Sequence, residues 1–205
     1  MRNHPLLALL LALVCSAACA EEPDPARYGY RRVAVSTVCP EPHRTWALEA
    51  VPKLDDLGRE QWLVAGPGDA VDVTVTCRAF PSSCSDDPAR CDAVGSYQEG
   101  DHFVEFDPER TRDPYMVHKV VMHELIHERI YRGPSPVRAR AHVCRLVNQL
   151  PGDACYSGWH GEAIMNPDVG ADGRPNSAWN DIVGTVALDI VQPGDVAFYR
   201  WALSN

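Results

Sequence analysis

Alternation of apolar and polar residues with a period of two predicts strands at Arg31–Val38 (RRVAVSTV) and Ala70–Cys77 (AVDVTVTC), both rich in β-branched side chains. Between them, Pro42–Leu57 carries Trp46, Leu48, Ala50, Val51, Leu54 and Leu57 at mostly helical spacing, with Pro52 interrupting its regularity. Strand, helix and strand in that order predict a right-handed parallel crossover. Phe80–Cys91, rich in Pro, Ser, Asp and Cys, reads as loop. Two more short strands are expected at Gly95–Gln98 and His102–Asp107, around Glu99-Gly100-Asp101.

Asp113 is suited to cap a helix and Pro114 to open it, and the pattern runs to about Tyr131 before Gly133 and Pro134 stop it. Apart from His118, Lys119, Glu128 and Arg129, the residues outside the motif discussed below are apolar on nearly every side, so this helix should be central and buried. Ser135–Leu150 is a more polar helical pattern closed by Pro151-Gly152. Ile164–Pro167 reads as a sharp turn, 168–176 as a Gly/Asp loop, and Asn180–Val191 as a last amphipathic helix. No repeat or low-complexity tract is visible.

Residues 1–20 begin with Arg2 near the start, continue with an apolar run at Leu6–Val14, and end in small residues at Ser16–Ala20. That is the pattern of a secretory signal peptide, and the run falls short of the ~18 apolar residues that a membrane span needs. Cleavage after Ala18-Cys19-Ala20 and lipid attachment at Cys19 both fit. Residues 21–30 read as a tether, and 31–205 as one domain with enough chain for a core. The expected location is extracytoplasmic, either secreted or lipid-anchored to a bacterial envelope membrane.

The net charge of −9 becomes one unit more negative once Arg2 leaves with the leader, which argues against a nucleic-acid partner. Beyond the leader stand six cysteines, an even set suited to an oxidising compartment: Cys39, Cys77, Cys84, Cys91, Cys144 and Cys155. None forms a Cys-x-x-Cys pair, so a thiolate zinc site is disfavoured. Cys39 and Cys77 follow the C-terminal ends of two strands expected to be parallel neighbours, which predicts a bridge between them. Cys84 with Cys91, and Cys144 with Cys155, would then close local loops.

The candidate chemistry lies in the central helix. His123-Glu124-Leu125-Ile126-His127 reads as H-E-x-x-H, and residues four apart lie on one helical face, so two imidazoles can aim at one metal ion. Glu124, one step round, is placed to act as a general base without being a ligand. Burying two His and a Glu is costly unless they are paired or metal-bound. A catalytic zinc usually takes a third protein ligand, for which His142, His160 and Glu162 are the candidates.

His160 stands five residues before Met165 in Trp159-His160-Gly161-Glu162-Ala163-Ile164-Met165-Asn166-Pro167. Here the chain resembles the metzincin metallopeptidases, in particular the matrixin-like group, where a third His precedes an apolar-Met-x-Pro turn. The resemblance covers most of the chain after the leader. It departs from the family motif H-E-x-x-H-x-x-G-x-x-H, with Ile130 at the Gly position and Gly133 at the third His. If His160 is the ligand, an excursion (135–158), tied by Cys144 and Cys155, separates it from the helix.

The resemblance implies an α+β fold with a twisted mixed sheet, an N-terminal helix, a buried active-site helix, a Met-turn at Met165 and a C-terminal helix. It also implies Zn²⁺ held by His123, His127 and His160, Glu124 as catalytic base, and a peptide or protein substrate lying along His102–Asp107 as edge strand. A monomer is expected. A gluzincin-type site with Glu162 as third ligand stays open, as does a non-catalytic zinc-binding lipoprotein, against which Glu124 speaks.

Overall fold

The computed structural model describes residues 29–80, 95–97, 102–143, 164–165 and 191–204, with backbone alone at 140–143. The predicted leader, most of the tether, Cys84, Cys91, Cys144, Cys155, His160 and Glu162 lie outside the described residues.

The chain is mixed α/β. Its strands are β1 (Tyr30–Val35), β2 (Gln61–Val64), β3 (Val73–Cys77), β4 (Gly95–Tyr97) and β5 (Phe103–Phe106). They form one sheet in the order β2-β1-β3-β5-β4, parallel throughout except that β4 runs antiparallel to β5. The register aligns Val33 with Val73, Val35 with Val75, and Val75 with Val104, so alternation along each strand becomes one continuous apolar face.

That register overturns one expectation. His102–Asp107 is not an edge: β5 sits between β3 and β4, and the edge beside it is Gly95–Tyr97. Pairing order depends on contacts between distant segments, which local alternation does not encode. The edge strand β2 on the other side went unforeseen as well.

Helix α1 (His43–Ala50) changes at Val51 into a 3₁₀ segment, Val51–Leu57, with Pro52 in its first turn. Proline lacks the N–H that an α-helix interior needs, so the single predicted helix divides there. Both pieces bury their apolar side: Ala47, Ala50, Val51, Leu54 and Leu57 are fully inaccessible.

Helix α2 (Pro114–Tyr131) matches its prediction at both ends. The Asp113 carboxylate accepts from the Met116 N–H at 2.9 Å, satisfying one of the first-turn donors that no helical carbonyl can reach. At the other end, the Gly133 N–H donates to the Ile130 carbonyl. A Cβ at position 133 would lie 2.6 Å from Leu203 Cδ2 and 3.0 Å from the Ile130 carbonyl oxygen, so a larger residue there would require the Leu203 side chain to shift.

Helix α2 packs on α1, on β4 and β5, and against a final helix, α3 (Pro193–Ala202). Its buried charges are paired. Glu128, 1 % exposed, meets the guanidinium of Arg31, which shares the core-facing row of β1 with Val33 and Val35. Arg132 Nε adds a second contact to Glu128 at 3.3 Å. Glu60 accepts from Arg129 Nε at 2.7 Å and from the Tyr199 hydroxyl, joining α2 to α3. Two guanidiniums around one carboxylate offset a desolvation cost that an unpaired charge would leave standing.

The more polar pattern predicted as a helix at Ser135–Leu150 is a 3₁₀ segment, Pro136–Val143, over its described part. Most of the helix predicted at Asn180–Val191 lies outside the described residues, and Val191 itself is not helical. Helix α3 begins only after Gln192, whose side chain and that of Asp195 form a reciprocal capping box. Cys39 and Cys77 form the expected bridge, with their Cα atoms 4.9 Å apart, and tie the segment after β1 to the end of β3.

Candidate metal centre

Helix periodicity sets His123 and His127 one turn apart on one face of α2. Both are buried at 5 % exposure, and each ring nitrogen Nδ1 faces a backbone carbonyl. His123 Nδ1 lies 3.0 Å from the Ile164 oxygen, and His127 Nδ1 lies 2.5 Å from the Ala139 oxygen. A carbonyl can only accept, so in both rings Nδ1 carries the proton. Burial also pushes the His123 pKa down to about 4, the Lys119 charge adding to it and the Ile164 carbonyl opposing it, so this ring is neutral at pH 7.

A neutral imidazole protonated at Nδ1 presents a bare lone pair at Nε2. The two Nε2 atoms face each other at 3.0 Å. With both rings neutral neither Nε2 can donate to the other, and a cation seated against both would relieve the contact. Two imidazole nitrogens bound to one tetrahedral zinc stand ~3.3 Å apart, given Zn–N bonds of ~2.0–2.1 Å. The donor set fits a borderline-soft divalent metal, and the carbonyls are the partners that metal-binding imidazoles usually have behind them.

Glu124 lies beside this pair at the edge of the sheet. Its carboxyl is buried, which pushes its pKa up to about 8, and the backbone N–H of Tyr97 on β4 donates to it, which pulls the other way. The approach is close: a Cβ on Gly95 would fall 2.5 Å from Val120 Cγ1 and 2.9 Å from Glu124 Oε1. The Tyr97 ring stacks on His127, with centroids 4.9 Å apart and planes 17° from parallel. Strand β4 therefore touches both the candidate base and a candidate ligand.

Ile164 and Met165 form a turn whose side chains are buried, Met165 completely. Asp195 on α3 holds it: its carboxylate accepts from Ile164 N–H at 2.9 Å, Met165 N–H at 2.8 Å and Gln192 N–H at 3.0 Å. Burial raises the Asp195 pKa, and these three donors together with Lys119 oppose the rise. Asp195 thus fixes the carbonyl that fixes His123.

Sequence reasoning singled out His123, Glu124, His127 and Met165; the first three lie on α2, and the residue before Met165 supplies the carbonyl that faces His123. It missed Tyr97, Ala139 and Asp195. The only signal for Asp195 was its place three residues after Gln192 in a capping box, which says nothing of the Met165 turn. Among the described residues no cluster of three or more His, Cys, Asp or Glu side chains gathers as a metal site, and the third-ligand candidates His160 and Glu162 fall outside them. The His142 side chain also falls outside. No helix among the described residues is long and apolar enough to cross a membrane. Comparisons with protein-family models, with characterised proteins and with solved structures return no match.

Proposed function

We propose that this protein is a metzincin-like zinc-dependent endopeptidase. The observation that carries the reading is the pair of Nε2 atoms 3.0 Å apart, each ring backed by a carbonyl at Nδ1, with a buried carboxyl beside them. His123 and His127 would hold the metal, together with His160 ahead of the Met165 turn. Zinc in that position supplies a Lewis acid that polarises a scissile carbonyl and brings the pKa of water to ~7.

Glu124, as the carboxylate, would accept a proton from the attacking water and pass it to the leaving amine; burial raises its pKa to about 8 in the metal-free chain, and a cation held beside it would favour the charged form. Burial around the site excludes bulk water from the proton transfer. Strand β4, an edge of the sheet among the described residues, would offer main-chain groups to an extended peptide beside Glu124. A bridge between Cys39 and Cys77 suits an extracytoplasmic setting, secreted or lipid-anchored at Cys19. The expected partner is a peptide or protein chain, and the acidic surface does not suit nucleic acid.

Glu124→Gln tests the reading. The variant should keep about one zinc per chain and the wild-type fold while losing most peptide hydrolysis, at least a hundredfold. Cleavage at the wild-type rate would overturn the mechanism. Zinc uptake by a wild-type protein that cleaves nothing in a broad peptide library would favour a non-catalytic zinc-binding protein instead.

A further inference from the structure

His127 owes its tautomer to the Ala139 carbonyl, which belongs to a short 3₁₀ segment outside the sheet. The neighbouring side chain supplies an anchor. Arg138 Nη1 donates to the Trp201 carbonyl at 2.9 Å, to the Ser204 carbonyl at 2.7 Å and to Ser204 Oγ at 3.1 Å. Its guanidinium lies 4.8 Å from the centroid of the Trp201 ring. The Trp201 carbonyl also accepts from the Ser204 N–H and hydroxyl, and the partial negative charge at a helix C-terminus favours a cation, so the end of α3 suits an arginine. The contact of Leu203 with Gly133 presses the same end of α3 against the exit of α2.

We infer that Arg138 is a positioning residue for His127. By gripping the C-terminal end of α3 it holds the next residue's carbonyl against the His127 Nδ1–H, and so keeps the Nε2 lone pair aimed at the point shared with His123. The opposite end of α3 does the corresponding work for His123 through Asp195 and Ile164. One helix thereby sets both rings from its two ends. The consequence for zinc rests on the metal-centre reading, but the effect on the ring does not.

Two measurements on the full chain test this separately. Nitrogen–proton correlation spectra of isotope-labelled histidine, taken on metal-stripped protein, report which ring nitrogen carries the proton. Competition with a chromophoric chelator reports zinc affinity. In Arg138→Ala, His127 should pass to a mixture of tautomers while His123 keeps Nδ1–H, and zinc affinity should fall about 10- to 100-fold, as is usual when a ligand loses its supporting partner. Arg138→Lys, which keeps a cation and one donor direction, should recover part of both. If Arg138→Ala fails to fold, Arg138→Gln takes its place with the same expectations.

A folded variant with wild-type His127 signals and wild-type zinc affinity overturns the inference. Wild-type protein that takes up no zinc, with the tautomer shift still present in the variant, overturns the metal reading and leaves the positioning role intact.

Discussion

Metal-stripped protein should lose stability between pH 6.5 and 8, and Glu124→Gln should remove that loss. In the folded chain the Glu124 pKa stands at about 8 against an ordinary 4.5, because burial disfavours the carboxylate. The folded chain therefore keeps a proton that the unfolded chain releases. This contribution to stability is complete below pH 4.5 and is lost as pH rises through 8. His123 works in the other direction: its pKa falls from 6.5 to about 4, so its contribution is complete above pH 6.5 and is lost on acidification toward 4. Between 4.5 and 6.5 the two slopes oppose each other, and above 6.5 only that of Glu124 is left. One titrating group changes stability by ~1.4 kcal/mol per pH unit, so the loss from 6.5 to 8 is about 2 kcal/mol. Urea denaturation in the presence of a chelator, in half-unit pH steps, measures it. Glutamine has the same shape and no proton to release, so the difference between wild type and variant isolates this one group. Parallel stability curves for the two proteins would refute the reasoning.

Gly95→Ala would place a methyl group 2.5 Å from Val120 Cγ1 and 2.9 Å from Glu124 Oε1, so it should destabilise the fold by ~1–3 kcal/mol in urea melts and slow hydrolysis by displacing β4 from the base. Unchanged stability would mean that β4 does not lie so close to α2. For the third ligand, His160→Ala should weaken zinc binding severely in chelator competition, and His142→Ala should leave it nearly unchanged. If Glu162→Ala strips the metal and His160→Ala keeps it, the metzincin-like site gives way to a gluzincin-like one.

Local chemistry made part of this molecule readable. Helix α2 follows from Asp113, Pro114, the apolar run and Gly133, because cap, opening and stop all lie within the helix or beside it. Strands β1 and β3 follow from alternation, and their adjacency placed Cys39 opposite Cys77. What escaped was non-local or too short. Strand β2 is four residues with one fully buried side chain, Trp62, too little for a period to emerge. The inner place of β5 is decided by pairing on both its sides. Helix α3 opens with Pro193-Gly194, a pair that reads as a turn, although proline suits the first helical position and Gln192 with Asp195 marks a capping box. The candidate metal centre divides the same way: the two His and the Glu share one helix, whereas the carbonyls of Ile164 and Ala139 are contributed by separate segments of chain.

The hold that Asp195 exerts on Ile164 and Met165 spans 31 and 30 residues of chain. Translation runs from the N-terminus, so the sheet and α2 are made well before their final support. A nascent chain that has not yet emerged past Asp195 leaves the Ile164 and Met165 amides without their acceptor, and the Ile164 carbonyl has no fixed place from which to orient His123. Folding order thus acts as a timer. The proposed site is fully oriented only once Asp195 has been made and has docked against the turn at Ile164 and Met165.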